Sequence, residues 1–492
     1  PSASQTITVN AANLTPVDSF LTVTAPANFE VSTDNTTFAS SVQLPYTGNS
    51  LTNAPVYVRL VSGLSANNYT GSVEISGGGT ASFNVTVSGT VYVPFAVPYF
   101  NAFNTQTLYN NAALQGFQYA ATAFNAGGGG YAVISINGTI TAPAFDITGI
   151  SQVEVSFDGA TFGGNTNQTL TLEVSEDGTN YSTVGSITYL NNNYVNFRQT
   201  IDFSTFVGTT AYIRVRMSAG TNTSRFRNFY ISTFTTWTGT SWTNGTPNSS
   251  VVALIDGNYN TAANGDINAK RLVVTSGDVL ANGLGTISLV EDLAVNGGTV
   301  VFESGSNLIQ QNNNYANVGN ITIQRVANLK RQDYIYWGAP VTGQNLLDFS
   351  PFTLTNRFYT FNEPTNAFVN VDAAATAFEP GRGYMIRAEN NLSNTTNTNW
   401  TGTFEGLPNN GTYNVPVTRT TSGYNIIANP YPSPISCQSF VAANPNIGTL
   451  YFWAHVTQGA GSAANYATWN GTGAAAPAGG ATPNGTIQTG QG

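Results

Sequence analysis

The chain lacks the periodicity of an amphipathic helix, and this limits its fold more than any other feature of the sequence. No window of about 11 to 18 residues keeps apolar side chains at i, i+3, i+4 and i+7. Short runs instead alternate between apolar and polar residues, as in QTITVN, VYVRLV and AYIRVR, and turn-forming residues separate them. Such alternation places every second side chain on one face of a sheet. The sequence therefore predicts an all-β chain.

The chain is too long for one hydrophobic core, because its 492 residues exceed the size at which single cores stop growing. We predict several domains, most of them β-sandwich or jelly-roll modules, with one short β-solenoid. The predicted segments are a β-sandwich over residues 1–92, a jelly-roll-like sandwich over 93–234, the solenoid over 235–328 and a C-terminal β domain over 329–492.

The segment GLSANNYTG in the first domain has the spacing of a tyrosine corner. Leu64, Ala66 and Tyr69 fit the pattern L-x-A-x-x-Y, in which the tyrosine hydroxyl bonds to backbone a few residues upstream. A structural role for Tyr69 is therefore favoured over a binding role.

A repeat of about 20 residues predicts the solenoid. Leu272 aligns with Leu293, 21 positions later, and each is followed by an apolar pair and a short polar turn. The stretch TTWTGTSWTNGTP precedes VVALIDGNY, which we take as the first rung. Trp237 and Trp242 are predicted to cap the open end of the coil, and a sugar-binding platform is the alternative.

The C-terminal segment contains GRGYMI, a G-x-G followed by an aromatic residue and an apolar strand. The sequence ends in TIQTGQG, in which GQG has the same form without the strand. We therefore expect the natural chain to continue beyond residue 492.

The charge composition excludes several classes of function. Only 8% of residues are charged, the formal net charge is −9 and the chain has two lysines, so there is no basic patch for a nucleic acid backbone. Its single cysteine, Cys437, cannot form an internal disulfide. No apolar run is long enough to span a membrane, so no membrane insertion is predicted.

Catalytic motifs are missing, and we predict that the chain is not an enzyme. His455 is the only histidine, which excludes a histidine-rich zinc site, and no G-x-S-x-G nucleophile motif is present. The GGGG run at 127–130 has no Lys-Ser/Thr after it, so it is not a phosphate-binding loop. Paired carboxylates could still serve a glycosidase, but none lies in an aromatic-rich stretch.

Two kinds of binding site have weak candidates in the second domain. Jelly rolls often hold calcium through oxygen ligands, and the candidates are Asp158, Glu176 and Asp177. No other cofactor is expected. Glycan binding needs aromatic faces beside hydrogen-bonding groups, and the candidates are Tyr181, Tyr189, Tyr194 and Phe197. Core or rim packing is favoured over glycan binding for each of these aromatic residues.

Several motifs resemble those of large secreted proteins of Bacteroidota. FEVSTDNTTF and NYTGSVEISGGG resemble their Ig-like repeats, and FDITGISQVEVSF and LEVSEDGTNYSTV resemble their jelly-roll modules. Those modules usually end in Arg-Ile-Asp-Asn, and Arg227 stands here in the place of the aspartate. W-x-G-x-x-W-x-N-G-x-P, YWGAPV and NPYPSPI are similar to the region before a type IX secretion sorting domain.

The resemblance implies export by the type IX secretion machinery and an extracellular or cell-surface location. We expect a non-catalytic surface protein, adhesin-like or a component of a rod, filament or surface layer. Its partners would be other surface proteins, copies of itself or glycans. The alternatives are a carbohydrate-binding accessory region of a larger secreted polysaccharide-degrading enzyme and a passive spacer.

Overall fold

The computed structural model describes residues 2–65, 67–162, 166–453, 466–471, 473–476 and 482–492. Strands dominate it and the helices are short, so the predicted all-β class is confirmed. The chain forms two compact units, Pro1–Ile231 and Ser232–Gly492, called here the first and second units. Among the described residues, no helix has the length and hydrophobicity needed to cross a membrane.

The first unit begins with two antiparallel sheets that pack on a shared apolar core. Their orders are β1-β5-β3 and β4-β2-β6-β7. The hydroxyl of Tyr69 donates to the carbonyl of Ser65 at 2.7 Å, which is the bond expected of a tyrosine corner. Ala66 lies outside the described residues. The strands are β1 (Gln5–Ala12), β2 (Ser19–Thr24), β3 (Phe29–Ser32), β4 (Ser41–Tyr46), β5 (Ser50–Leu60), β6 (Asn67–Gly77) and β7 (Thr80–Val91).

The rest of the first unit is a jelly-roll-like sandwich. Its main strand path runs β14-β13-β16-β10-β17-β12-β15, and β10 pairs with both β16 and β17. The elements are β8 (Tyr99–Asn101), α1 (Gln106–Leu114), β9 (Gln118–Asn125), a 3-10 turn (Gly127–Gly129), β10 (Tyr131–Thr141), β11 (Phe145–Asp146), β12 (Gln152–Phe162), β13 (Gln168–Ser175), β14 (Ser182–Tyr189), β15 (Val195–Asp202), β16 (Thr210–Ala219) and β17 (Thr223–Ser232).

The second unit opens with a parallel β-solenoid, as predicted. Its three sheets have the orders β18-β19-β22-β25, β20-β23-β26-β28 and β21-β24-β27. Leu272 pairs with Leu293, as the repeat predicted. The elements are β18 (Phe234–Trp237), β19 (Val252–Asp256), β20 (Tyr259–Asn260), α2 (Thr261–Asn264), β21 (Ile267–Ala269), β22 (Arg271–Ser276), β23 (Asp278–Ala281), β24 (Thr286–Leu289), β25 (Leu293–Val295), β26 (Thr299–Phe302), β27 (Asn307–Gln310) and β28 (Ile321–Leu329).

Glycines stack at one corner of the solenoid and explain its repeated Gly-containing turns. Gly257, Gly277 and Gly298 all have positive φ, at 153°, 76° and 70°. A Cβ on Gly298 would collide with the backbone of Gly277, and a Cβ on Gly277 with that of Gly257. Only glycine lets successive rungs approach this closely at the corner.

Another corner of the solenoid buries an ion pair. Lys270, between β21 and β22, has a fully buried side chain, and its Nζ lies 3.6 Å from Oε1 of Glu291, which is 1% exposed. The backbone N–H of Glu291 also donates to the carbonyl of Lys270 at 2.8 Å. The pair therefore joins the same corner of two successive rungs.

The tryptophan stretch lies within the coil, which corrects one detail of the prediction. Trp237 belongs to β18, and β18 pairs in parallel with β19, so the stack begins one strand before VVALIDGNY. Trp237 is 6% exposed and its Nε1 donates to the carbonyl of Asn258 at 2.8 Å. Its ring contacts Trp242 and Tyr259, with centroids at 5.6 and 4.9 Å. The buried ring of Trp237 is not available as a sugar platform.

The solenoid core continues into the C-terminal part of the second unit. The predicted boundary at residue 328 falls inside β28, which pairs with β34. The remaining elements are β29 (Tyr334–Trp337), β30 (Val341–Thr342), α3 (Leu346–Phe349), a 3-10 turn (Thr355–Arg357), β31 (Phe358–Asn362), β32 (Ala367–Asn370), β33 (Tyr384–Arg387), β34 (Thr398–Pro408), β35 (Ile435–Ser436), α4 (Cys437–Ala443), β36 (Leu450–Trp453), β37 (Tyr466–Trp469), β38 (Ala474–Ala475) and β39 (Thr486–Ile487).

A buried carboxylate anchors a loop in this part of the unit. Glu363, 2% exposed, accepts hydrogen bonds from the backbone N–H groups of Thr420, Thr421 and Gly423 and from both threonine hydroxyls. Desolvation opposes its ionisation, but the bonds from Thr420, Gly423 and Thr421 outweigh it and hold the pKa of Glu363 well below its usual range. The loop is therefore fixed to an ionised side chain.

Candidate functional site

The predicted aromatic glycan-binding face does not exist as one surface. Tyr189 and Phe197 lie in the core of the jelly roll, 3% and 7% exposed. The ring of Tyr189 covers Gly159, where a Cβ would lie 2.7 Å from the ring, and Phe197 packs on Phe157 at 4.8 Å. Alternation along β14 and β15 turns both side chains inward. These two residues are packed in the core, the favoured interpretation, and are not part of an exposed glycan-binding face.

The other two predicted tyrosines stack on arginines of two different strands, which pair with different parts of β10. The guanidinium of Arg214, on β16, lies 3.8 Å from the ring centre of Tyr181. The guanidinium of Arg227, on β17, lies 3.5 Å from the ring centre of Tyr194. Tyr181 and Tyr194 are therefore each held by a different arginine.

The carboxylate of Asp158, a calcium candidate, accepts hydrogen bonds from two amides. Its Oδ2 accepts from Nδ2 of Asn228 at 2.8 Å and its Oδ1 from Nδ2 of Asn196 at 3.1 Å. Nε of Arg227 lies 3.6 Å from Oδ2. This arginine occupies the place of the aspartate in the resembled motif, and here it faces a carboxylate.

Glu176 and Asp177, the other two calcium candidates, hold backbone turns. Glu176 accepts from the N–H groups of Val207 and Gly208, and Asp177 from those of Thr179 and Asn180. The bonds from Asn180 and Thr179 lower the pKa of Asp177. No three His, Cys, Asp or Glu side chains in the described part of the chain form a group that could hold a metal ion. The three candidates therefore do not form one ion site.

The two residues considered for nucleophilic or metal chemistry give no site. Cys437 is buried at the first turn of α4, and burial raises the pKa of its thiol. It is thus held as a neutral thiol, which is a poor nucleophile. His455 lies outside the described residues.

The second unit contains a pocket that the sequence did not predict, called here the Trp400 pocket. Its volume is about 560 Å³. Such a volume lies within the range of about 300–1,000 Å³ that is usual for small-molecule sites. Carboxylates, amides, hydroxyls and aromatic rings share its lining, which consists of Asn320, Gly343, Gln344, Asp348, Phe349, Pro351, Glu389, Trp400, Thr401, Thr403 and Glu405.

An acidic side chain fixes the aromatic wall of this pocket. Oε2 of Glu389 accepts from Nε1 of Trp400 at 3.0 Å, and Oε1 accepts from the N–H of Phe352 at 3.3 Å. The half-buried indole also packs edge-to-face on Trp337 and Phe349, each at 5.5 Å. Trp400 is therefore held in one orientation before any ligand arrives.

One edge of β34 forms another wall. β28 pairs with β34 from Thr398 to Gly406, whereas β30 pairs only with its last two residues. Beyond β30, the side chain of Gln344 donates to the carbonyl of Thr403 at 3.1 Å and accepts from the N–H of Glu405 at 3.3 Å. Peptide groups two residues apart point the same way along a strand, so the edge at Thr401 also faces the pocket.

The carboxylates of Asp348 and Glu405 complete the pocket. Both residues are exposed, whereas Glu389 is 6% exposed. Three acidic groups and no basic group line the space. The pocket thus offers hydrogen-bond acceptors and one fixed indole, and its negative charge disfavours anionic ligands.

Comparison with solved structures finds carbohydrate-binding modules. The CBM22-1 xylan-binding domain from Paenibacillus barcinonensis Xyn10C is 11% identical, with 28% of this chain and 96% of that chain covered and a TM-score of 0.21. The C-terminal family 22 module of Clostridium thermocellum Xyn10B is 10% identical, with coverages of 27% and 90% and a TM-score of 0.22. The C-terminal CBM6 of LamC from Zobellia galactanivorans is 13% identical, with coverages of 23% and 90% and a TM-score of 0.19.

Sequence comparison identifies the family to which the chain belongs. No curated protein matches it in sequence. The family described as a domain of unknown function, DUF8693, matches residues 229–492, which is more than half of the chain and includes the Trp400 pocket. The chain belongs to the DUF8693 family.

Proposed function

We propose that this chain is a non-catalytic, adhesin-like protein of the cell surface, exported by type IX secretion, and that it binds neutral glycans in the Trp400 pocket. The lining of this pocket carries the proposal. The export route is supported by the motifs shared with secreted Bacteroidota proteins, and the low charge suits a surface protein with few sites for trypsin-like proteases.

The chemistry of the pocket matches that of a sugar. The C–H face of a pyranose packs on an indole ring, and its hydroxyls donate to carboxylates and accept from amides. Trp400 supplies the ring, Asp348 and Glu405 supply free acceptors, and Asn320 supplies an amide. Because the indole is already fixed by Glu389, binding would lose little side-chain entropy.

A binding role is favoured over a catalytic one. A glycosidase needs one carboxyl group free to donate a proton and a second free to attack or to activate water. Glu389, the buried acid of the pocket, is already engaged by hydrogen bonds from Trp400 and from the backbone of Phe352. Asp348 and Glu405 are free but exposed, so neither has the apolar surroundings that turn one carboxyl group of a catalytic pair into a proton donor. The accessory-region alternative shares the same glycan-binding pocket, and a catalytic domain elsewhere in the natural chain would favour it.

The test is a glycan array followed by calorimetry with the best neutral oligosaccharide. Thr401→Arg places a bulky side chain at an exposed lining position and should lower affinity at least about tenfold through steric exclusion. Thr398→Arg, at an exposed position of the same strand outside the lining, is the matched control and should bind normally. The proposal fails if the unmodified chain binds no neutral glycan, or if both variants bind equally well.

A further inference from the structure

Five of the 13 arginines in this weakly charged chain lie between residues 198 and 227. Two of them, Arg214 and Arg216, share one carboxylate. Glu173 contacts Nε of Arg214 at 2.6 Å and Nη2 of Arg216 at 2.7 Å. These two arginines therefore have an ordinary structural explanation.

Arg225 on β17 has no such partner. Within the described residues, no carboxylate lies within ion-pair distance of it, and its Nε is buried without a hydrogen-bond acceptor. Its guanidinium lies over the rings of Tyr131 and Phe162, at 4.9 and 5.5 Å from their centres. Aromatic faces hold the cation in place, and its charge is not neutralised.

Arg227, two residues along the same strand, is only partly neutralised. Its guanidinium stacks on Tyr194, and its nearest carboxylate, Asp158, already accepts from Asn196 and Asn228. Nε of Arg227 and the hydroxyl of Tyr194 are both buried without a hydrogen-bond partner in the described structure. Three donors, counting Nε of Arg225, thus lack acceptors on one part of the sheet.

Buried donors without acceptors are costly, most of all on charged groups. Native proteins leave few of them, and a cluster of them needs an explanation. A bound anion would provide acceptors for the guanidinium groups and would neutralise Arg225 at the same time. The surrounding rings would exclude water and strengthen that interaction.

We infer that this region, called the arginine face and made of Arg225, Arg227, Tyr131, Phe162 and Tyr194, binds the anionic group of an acidic polysaccharide. The group is a uronic acid carboxylate or a sulfate ester, because a guanidinium recognises both through paired N–H donors. The ring of Phe162, 37% exposed, offers a surface for the attached sugar. The site lies in the first unit and does not depend on the Trp400 pocket.

The experiment measures binding of the full chain to three oligosaccharides of equal length at low salt. A polygalacturonate oligomer carries carboxylates, a sulfated galactan oligomer carries sulfate esters, and a xylan oligomer is neutral. We expect one or both acidic ligands to bind to the arginine face. Which of the two binds more tightly identifies the anionic group.

Arg225→Gln should weaken binding of the preferred acidic ligand at least about tenfold, the usual consequence of losing a charge-assisted contact. Arg225→Lys keeps the charge but loses the planar fork, so its affinity should lie between those of the unmodified chain and Arg225→Gln. Arg214→Gln is the matched control, because Glu173 keeps Arg216, and it should bind within about twofold of the unmodified chain.

Two outcomes would overturn the inference. One is that neither acidic ligand binds to the unmodified chain. The other is that Arg225→Gln and Arg214→Gln have equal affinities while circular dichroism shows both to be folded. If the unmodified chain binds the acidic ligand but no neutral glycan, the Trp400 pocket proposal fails and this one stands.

Discussion

The Trp400 pocket and the arginine face both combine charged groups with aromatic rings, but the charge is negative in the pocket and positive on the arginine face. In the pocket, Glu389 accepts from the indole N–H of Trp400, so the acid orients the ring. On the arginine face, Tyr194 and Phe162 lie beneath guanidinium groups, so the rings hold the cations. One region presents acceptors and the other presents donors.

The difference matters because charged residues make up only 8% of the chain. Most of the surface is polar and uncharged, so a few local groups determine the electrostatic potential at each site. We therefore expect the two regions to select ligands of different charge, and each prediction below tests whether they behave independently.

The largest effect is expected from Trp237→Ala. It removes a buried indole from the end of the solenoid and should lower the stability of the second unit by about 3–5 kcal/mol. Calorimetry should show an earlier transition for that unit, while binding of the acidic ligand is kept. Unchanged melting together with lost glycan binding would show that Trp237 is a binding residue and not a structural one.

Charge reversal at the arginine face should have the next largest effect. The double variant Arg225→Glu/Arg227→Glu repels an anion and should lower its affinity at least about 100-fold, since like charges at an interface cost several kcal/mol. Binding of the neutral glycan should stay within about twofold of the unmodified chain. If affinity for the neutral glycan falls equally, the two regions are coupled and the comparison fails.

A change in salt concentration should distinguish ligand binding at the two regions without any substitution. Raising ionic strength from about 0.05 to 0.5 M shortens the screening length several-fold. Binding of the acidic ligand should weaken about tenfold, whereas neutral glycan binding should hardly change. Equal salt dependence in titrations of the two ligands would contradict the assignment of charge to one site only.

The smallest effect concerns the carboxylate of Glu363. Because its pKa is lowered in the folded state, it stabilises the second unit above the unfolded-state pKa of about 4.3 and loses this contribution as the pH falls. Glu363→Gln should therefore melt about 2–4 °C lower at pH 7. This gap should narrow at pH 3. A gap that is constant with pH would mean that the loop does not depend on the ionised form.

The fold was predictable where the pattern is local. Two-residue alternation gave the strands, and the 21-residue offset gave the pairing of Leu272 with Leu293. Tyr189 and Phe197 were not recognised as core residues because alternation separates the two faces of β14 and β15 but does not tell which face packs on the opposite sheet. Tyr189 and Phe197 turned out to face the core.

The Trp400 pocket could not be found in the sequence, because its parts meet only after folding. Gln344, Glu389 and Trp400 come from three separate segments. Gln344 bonds to Thr403, 59 residues later, and Glu389 accepts from Trp400, 11 residues later. The arginines gave a weak signal. The R-x-R motifs of β16 and β17 are each typical of an ordinary exposed strand. They differ only in the structure, where Glu173 contacts both arginines of β16 and no equivalent carboxylate contacts Arg225 of β17 in the described residues.

The buried ion pair of the solenoid has a practical consequence for handling the protein. Lys270 is fully buried, and the only other lysine, Lys330, is partly exposed and lies outside both proposed sites. Reagents that couple lysine amines to a bead or a sensor chip would therefore reach one lysine side chain of the folded protein. Molecules attached through it would share one orientation, with the Trp400 pocket and the arginine face left unmodified.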